Sequence, residues 1–423
     1  MQPKHWLTGF LILAMAIAAG FSSLHKTAAR PAAVVVELWY YHDTVFEQSL
    51  NSIMAAFETS HPEIDLEATF HSYDALPDEY QTAVGAGGGP ALVMGRSEWG
   101  VPFYRAGHIL ELTPYLSQAL RDSIYPVALQ ASTYYGALLG LPQSMNGTVP
   151  FRNAVILPEP AGTYAELAAQ VQAITNEELD GTYLERGPYY AEAHLYGMGG
   201  QLMDRFGCPA FNNSSGLAWV ELLESFSELG PTAFYSTEAE HAYRVGGTGL
   251  ITAEDSLLSN MVDLSPIPTP GPTPRPTPDP DFLQIAIDPW PAPLSGFVHV
   301  ESIYLNPNTD PQTRSAAITF MNYLLTPEAQ ELMLPYYLPS VKGVHFANPL
   351  LAAATAALAS GTAYPVLPQM AAFDDPLYLG LQSIFEDGAG PTAALQQATD
   401  EILARLAEMG YGCETQYLPA VWK

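Results

Sequence analysis

Two short runs in this chain set flat rings beside hydrogen-bonding acids. Trp39-Tyr40-Tyr41-His42-Asp43 closes one apolar stretch, and Arg96-Ser97-Glu98-Trp99 follows another. Aromatic faces suit the apolar C–H patches of a sugar, and carboxylates or amides suit its hydroxyls through paired hydrogen bonds. Saccharide recognition is the chemistry these residue types support.

The flanking pattern says how the runs are held. Residues 34–39 read as a buried strand. Residues 44–60 read as a helix, with Phe46, Leu50, Ile53, Met54 and Phe57 at helical spacing, stopped by His61-Pro62-Glu63. Residues 64–70 alternate like a second strand. A helix around 78–84 runs into Gly85-Ala86-Gly87-Gly88-Gly89-Pro90, and residues 91–94 form a third strand. That glycine run reads as a helix stop, not a phosphate loop, because no strand precedes it and no Lys-Ser/Thr follows. A β-α-β-α-β order implies a parallel or mixed sheet with helices on both faces. Ligands of such sheets bind beyond the carboxyl ends of the strands, so both runs should face one crevice.

Further on, residues 140–147 are a short strand-like break. Helices are expected at 164–175, 188–196, 215–229, 238–245, 314–325, 327–334 and 391–409, and strands at 249–252 and 283–287. Residues 266–280 carry Pro at every second position, which favours extended polyproline geometry. This is either an interdomain linker or a solvent loop inserted in one domain. The loop is preferred, because a strand pattern resumes at 283.

The 423 residues are ample for two domains, and the 48% apolar share is enough to bury a core. Against 44 Asp and Glu stand 15 Lys and Arg, a formal charge of −29. Such a chain repels nucleic acid and anionic membranes and suits neutral or cationic ligands; acidity also keeps an exported protein soluble. Residues 1–30 look like an export leader, with Lys4 and His5 before an apolar run from Trp6 to Phe21. A cut near Ala18-Ala19-Gly20 or Thr27-Ala28-Ala29 would make it a signal peptide; uncleaved, it would be an N-terminal anchor. Either way the expected location is extracytoplasmic, periplasmic or at the cell surface. The cysteines are Cys208 and Cys413 alone. In an exported protein such a pair favours one disulfide over two separate buried thiols. No CxxC or HExxH spacing occurs, so neither metal nor cofactor is expected.

Seven pieces in order resemble the extracellular solute-binding proteins of sugar ABC importers, the maltose-binding-protein-like group. They are the 34–39 strand with Ala56-Phe57-Glu58 and Pro62-Glu63-Ile64; Gly107-His108-Ile109-Leu110-Glu111-Leu112-Thr113-Pro114; Tyr135-Gly136 with Leu139-Gly140-Leu141-Pro142; Gly187-Pro188-Tyr189-Tyr190 through Gly199-Gly200; Ala316-Ala317 through Phe320; Leu324-Leu325-Thr326-Pro327-Glu328-Ala329-Gln330; and Tyr364 to Phe373. The resemblance implies an α/β, two-lobed periplasmic-binding-protein fold (type II-like). Each lobe would be a mixed sheet flanked by helices, and a hinge would join them. Lobe one would be 34–142 with 295–345, and lobe two 146–290 with 348–423, the Pro-rich loop lying in lobe two. Cys208 and Cys413 would share lobe two, which favours their pairing.

By the same resemblance the ligand set is Trp39, Tyr41, Asp43, Glu98 and Trp99 from lobe one, Asn146 at the hinge, and Tyr189 and Tyr190 from lobe two. Other roles stay open. Trp39 could be core, Asp43 an N-cap, and Tyr189-Tyr190 packing under the lobe surface. Where the family carries lobe-two aromatic residues, this chain has Ala253-Glu254-Asp255-Ser256 and Asp374-Asp375. If Glu254, Asp255 and Asp374 face the cleft, the ligand is more polar or carries an amine; otherwise they sit on a solvent rim. The expected function is non-enzymatic capture of a sugar or oligosaccharide by a monomer, for delivery to ABC permease subunits, with no nucleic-acid partner. The competing readings are a polyamine or other cationic ligand, a ligand-loaded sensory subunit, and a secreted glycoside hydrolase. The last would need two carboxylates, such as Glu98 with Glu254 or Asp374, about 5 to 10 Å apart.

Overall fold

The computed structural model describes residues 33–42, 44–176, 179–234, 237–262, 281–334 and 337–413. The leader, Asp43 and the 266–280 run lie outside the described residues.

The strands used below are β1 (Val34–Tyr40), β2 (Ile64–Phe70), β3 (Leu92–Arg96), β4 (Leu141–Asn153), β5 (Asp180–Glu185), β6 (Thr232–Ala233), β7 (Thr248–Glu254), β8 (Ile285–Ile287) and β9 (Phe297–Leu305). Their main order is β2-β1-β3-β9-β4-β7-β5-β6. β1 pairs in parallel with β2 and β3, so Trp39 lies opposite Thr69 on one side and Val93 on the other. β9 then runs antiparallel to β3, placing Glu301 beside Arg96. The mixed sheet expected from the β-α rhythm is present, and β9 is the strand that turns it antiparallel.

β4 is the connecting member. Its first half pairs with β9, with Asn146 opposite His299 and Gly147 opposite Val298. Its second half pairs with β7, from Thr148 opposite Glu254 to Arg152 opposite Leu250. The exchange of partners falls at Gly147, whose φ is +153°. A Cβ there would lie 2.0 Å from the Phe297 carbonyl oxygen, so only glycine allows the two chains to approach this closely.

Helices cover the sheet by ordinary amphipathic logic. α1 (Thr44–Ser60) buries Phe46, Leu50, Ile53 and Phe57 at three- and four-residue spacing. Further helices used below are α2 (Pro188–Gly197), α3 (Pro311–Leu324), α4 (Asp374–Phe385) and α5 (Pro391–Glu408). Asp310 caps α3, accepting from the backbone N–H of Gln312 and Thr313 at 2.9 and 3.2 Å. α4 and α5 pack together through Leu377, Leu381, Ala398 and Ile402. The largest apolar cluster runs along the sheet from Val36 and Leu38 through Met145 to Phe151 and Ile251. A second gathers Trp219, Phe211, Phe373 and Leu395 under α2, α4 and α5. Cys208 and Cys413 form a disulfide, their Cα atoms 5.6 Å apart.

Candidate functional site

The end of β3 shows how the site is built. Arg96 is extended, and Ser97–Trp99 then form a single 3₁₀ turn. The turn folds the Trp99 indole back over Gly95, where a Cβ would lie 2.2 Å from the ring. Trp99 thereby reaches Tyr41 and Tyr73, with ring centroids 5.3 and 5.6 Å away, and Tyr41 and Tyr73 are 5.0 Å apart. Tyr41 and Trp99, with Trp39, cover a small core of Leu76, Tyr80, Val101 and Phe103. Trp39 stands to one side, its ring 4.2 Å from that of His71.

Polar groups fill the gaps. The Tyr41 hydroxyl donates to Glu301 Oε1 at 2.8 Å. His42 Nε2 lies 3.4 Å from the other oxygen of Glu301. Burial, then the Glu301 charge, pushes the Tyr41 phenol far above its ordinary range, so it stays a donor. Arg96 Nη2 donates to Glu98 Oε1 at 3.0 Å, and His299 Nδ1 lies 2.8 Å from the same oxygen. Ser97 Oγ donates to Glu98 Oε2 at 3.1 Å. Burial alone would raise the Glu98 carboxyl, but the hydrogen bond and charge of His299, and then Arg96, hold it at about 2.

Groups from α2 and from the segment after β9 meet this wall at His299. Its imidazole stacks on Tyr364, centroids 4.2 Å apart and planes 29° from parallel. Tyr189 lies along it at 5.7 Å and meets Tyr190 edge-on at 5.4 Å. Burial, then the nearby Glu254, raises the Tyr189 phenol, so it stays a donor. Asp255 is half-buried and spends Oδ1 on the Gly147 N–H at 2.8 Å. Burial lifts its carboxyl to about 7, opposed by that bond and helped by Glu254. Asn146 is half-buried beside His299 on the neighbouring strand. Asp374 is exposed at the start of α4.

Of the residues expected from sequence, Tyr41, Glu98, Trp99, Asn146, Tyr189, Tyr190 and Glu254 thus lie around one centre, with Asp374 adjoining Tyr364. Trp39 is peripheral, and Asp255 braces the hinge backbone. The ligand set expected from sequence omits His299, Glu301, Tyr73 and Tyr364, and Arg96 enters it only as the first residue of the run that ends at Trp99. His299 and Glu301 carried a signal: a polar pair at i and i+2, hence on one face, within the mostly apolar strand Phe297–Leu305. Among the described residues no group of three or more His, Cys, Asp or Glu could hold a metal, and no helix is long and apolar enough to cross a membrane.

Two sheet segments joined through β4 and β9, with rings and acids converging on the crossing strands, define a two-lobed solute-binding fold. Residues 52–359 match the family of bacterial extracellular solute-binding proteins, and the chain belongs to that family. The maltotriose-binding protein of Pyrococcus abyssi is 26% identical over 184 residues. That match takes in 41% of this chain and spans only 40% of the relative's length. Among solved structures, the extracellular solute-binding protein of Staphylococcus aureus in complex with maltose superposes with a TM-score of 0.76 at 16% identity, over 89% of this chain and 98% of that one. The cyclic α-maltosyl-1,6-maltose-binding protein of Arthrobacter globiformis gives 0.73 at 16% identity, over 89% and 100%. At such identities the likeness is one of fold.

Proposed function

We propose that this chain captures an oligosaccharide between two lobes outside the cytoplasm and hands it to the permease subunits of an ABC importer, acting as a monomer and without catalysis. The observation that carries the reading is the His299 centre. There Tyr41, Trp99, Tyr189 and Tyr364 offer ring faces beside the ionised Glu98, the Glu254 side chain and phenols held in their donor form. A polyhydroxylated ligand needs that mixture of apolar plates, acceptors and donors. The ligand contacts are assigned to Tyr41, Glu98, Trp99, Asn146, Tyr189, Tyr190 and Glu254, with Trp39 at the edge. The lobes are assigned to 34–142 with 295–345 and to 146–290 with 348–423. The exchange of partners at Gly147 supports that division. The maltose and maltotriose bound by the similar proteins suggest α-linked glucose units as the first ligands to try.

Calorimetric titration with maltose, maltotriose and maltotetraose tests the reading. One-to-one binding to at least one, with the sugar recovered intact, is the expected result. Cleaved sugar would make the chain a hydrolase, and absence of binding across the series would remove malto-oligosaccharides as its ligands.

A further inference from the structure

We propose that the tip of the hairpin 133–138, with Arg105 beside it, is a latch that grips the second lobe when the lobes close and so sets how long a ligand stays bound. The proposal rests on the two-lobed reading above and adds a control of ligand release to it.

Thr133–Tyr134 pairs antiparallel with Ala137–Leu138, which leaves Tyr135 and Gly136 as a two-residue turn. Both have positive φ, +47° and +85°. Turns of this kind favour Asn, Asp or Gly at the first central position, because a larger side chain is strained there. Here the position holds Tyr, and it is 62% exposed, so burial does not offset the strain. Its hydroxyl instead crosses the lobe boundary and donates to the carbonyl of Arg205. The Tyr134 ring supports it edge-on, centroids 4.5 Å apart.

Arg105 makes the second contact. Its Nη2 donates to the Tyr134 hydroxyl, in its own lobe, at 2.8 Å. Its Nη1 donates to the Tyr411 hydroxyl, in the other lobe, at 3.4 Å. The guanidinium carbon lies 5.5 and 5.8 Å from the two ring centroids. Among the described residues Arg105 makes no ion pair, although the chain carries 44 Asp and Glu. A cation held between one phenol from each lobe is a contact that opening would break.

The lobe-two side is built to hold its shape. Asp204 Oδ1 accepts from the backbone N–H of Phe206 and Cys208 at 2.8 and 3.0 Å, which closes the loop that carries Arg205. The disulfide ties that loop to Cys413, next but one to Tyr411. Gln369 Nε2 donates to the Phe206 carbonyl at 3.2 Å, and Gln369 follows Tyr364, the ring stacked on His299, in one short segment. The latch therefore bears on a braced loop that is tied to a wall of the cleft.

Stopped-flow fluorescence with maltotriose tests the latch on wild type, Tyr135→Asn and Arg105→Gln. Both variants should release the sugar about tenfold faster, the size expected for one lost hydrogen bond, with the association rate unchanged because the latch forms after encounter. Asn suits the left-handed turn, so the denaturation midpoint of Tyr135→Asn should be kept or raised. Unchanged release in Tyr135→Asn, or a lowered midpoint without faster release, would overturn the latch and leave saccharide capture standing. If maltotriose does not bind, that sugar falls as a ligand, and small-angle X-ray scattering of the ligand-free proteins decides the latch. The wild type should then be more compact than Tyr135→Asn, and identical profiles would overturn the proposal.

Discussion

A single nitrogen at the centre of the site faces a donor and an acceptor at once. His299 Nδ1 is 2.9 Å from Arg96 Nη2 and 2.8 Å from Glu98 Oε1. A proton on Nδ1 would let it donate to Glu98; without one it accepts from Arg96. In both cases Arg96 keeps its own bond to Glu98, so the side chain stays fixed in place. Glu98→Gln should therefore weaken ligand binding by about ten- to a hundredfold, the range for losing a hydrogen bond to a charged group. Titration calorimetry reads this directly. Glu98 also carries a pH signature. Its folded value of about 2 lies below the ordinary 4.5, so it contributes stability that is present above 4.5 and lost as pH falls toward 2. Unfolding of the wild type should lose of order 2 kcal/mol relative to Glu98→Gln across that window. Asp255 has the opposite sign. Its folded value of about 7 lies above 3.8, so stability is lost as pH rises from 3.8 through 7. Melting curves of Asp255→Asn should fall less steeply than wild type between pH 4 and 7. Glu98 and Trp99 were legible in the sequence because they follow a strand end with no apolar period to serve. Glu301 and His299 were not, because long-range pairing, not local spacing, brings β9 beside β3.

At the scale of elements, β4 decides how the two halves communicate. The sequence shows only a short strand-like break at 140–147, yet the strand continues to Asn153. Pro142 and Pro150 disguise it, since proline cannot donate to a ladder. The structure accommodates Pro142 with a register shift opposite Glu301 and Ser302. α4 was hidden for a similar reason: Asp374-Asp375-Pro376 reads as a turn but serves as a helix start. By contrast α1 and α5 were plain, because their buried residues repeat at helical spacing. Gly147 is the most sensitive point of β4. Gly147→Ala should cost about 2 kcal/mol or more, since the backbone must shift to clear Phe297. Chemical denaturation measures that cost. An unchanged midpoint would show that the strand exchange at this residue is loose.

The whole molecule is closed at its rim as well as at its hinge. Arg105 donates to the Tyr134 hydroxyl at 2.8 Å and reaches Tyr411 at 3.4 Å, its guanidinium lying over both rings. The Tyr135 hydroxyl donates to the carbonyl of Arg205. Tyr411 and Arg205 lie within three residues of the two bonded cysteines, so the disulfide holds the C-terminal half of this rim together. Replacing Cys208 and Cys413 by Ser should lower stability by about 2–5 kcal/mol, as for other long loops. It should also speed ligand release, measured by stopped-flow fluorescence. The two-lobed plan was legible because many weak local motifs occur in order. The rim was not, because Arg105 and Tyr411 are 306 positions apart in the chain.

The claim that a saccharide sits between the two walls is tested most directly by calorimetric titration of wild type, Trp99→Ala and Tyr189→Ala with maltose, maltotriose and maltotetraose. One wall supplies Trp99 and the other Tyr189. The account predicts one-to-one binding to the wild type, weakened about tenfold or more in each variant while both stay folded. Affinity unchanged by either substitution, or no heat with any sugar of the series, would contradict it.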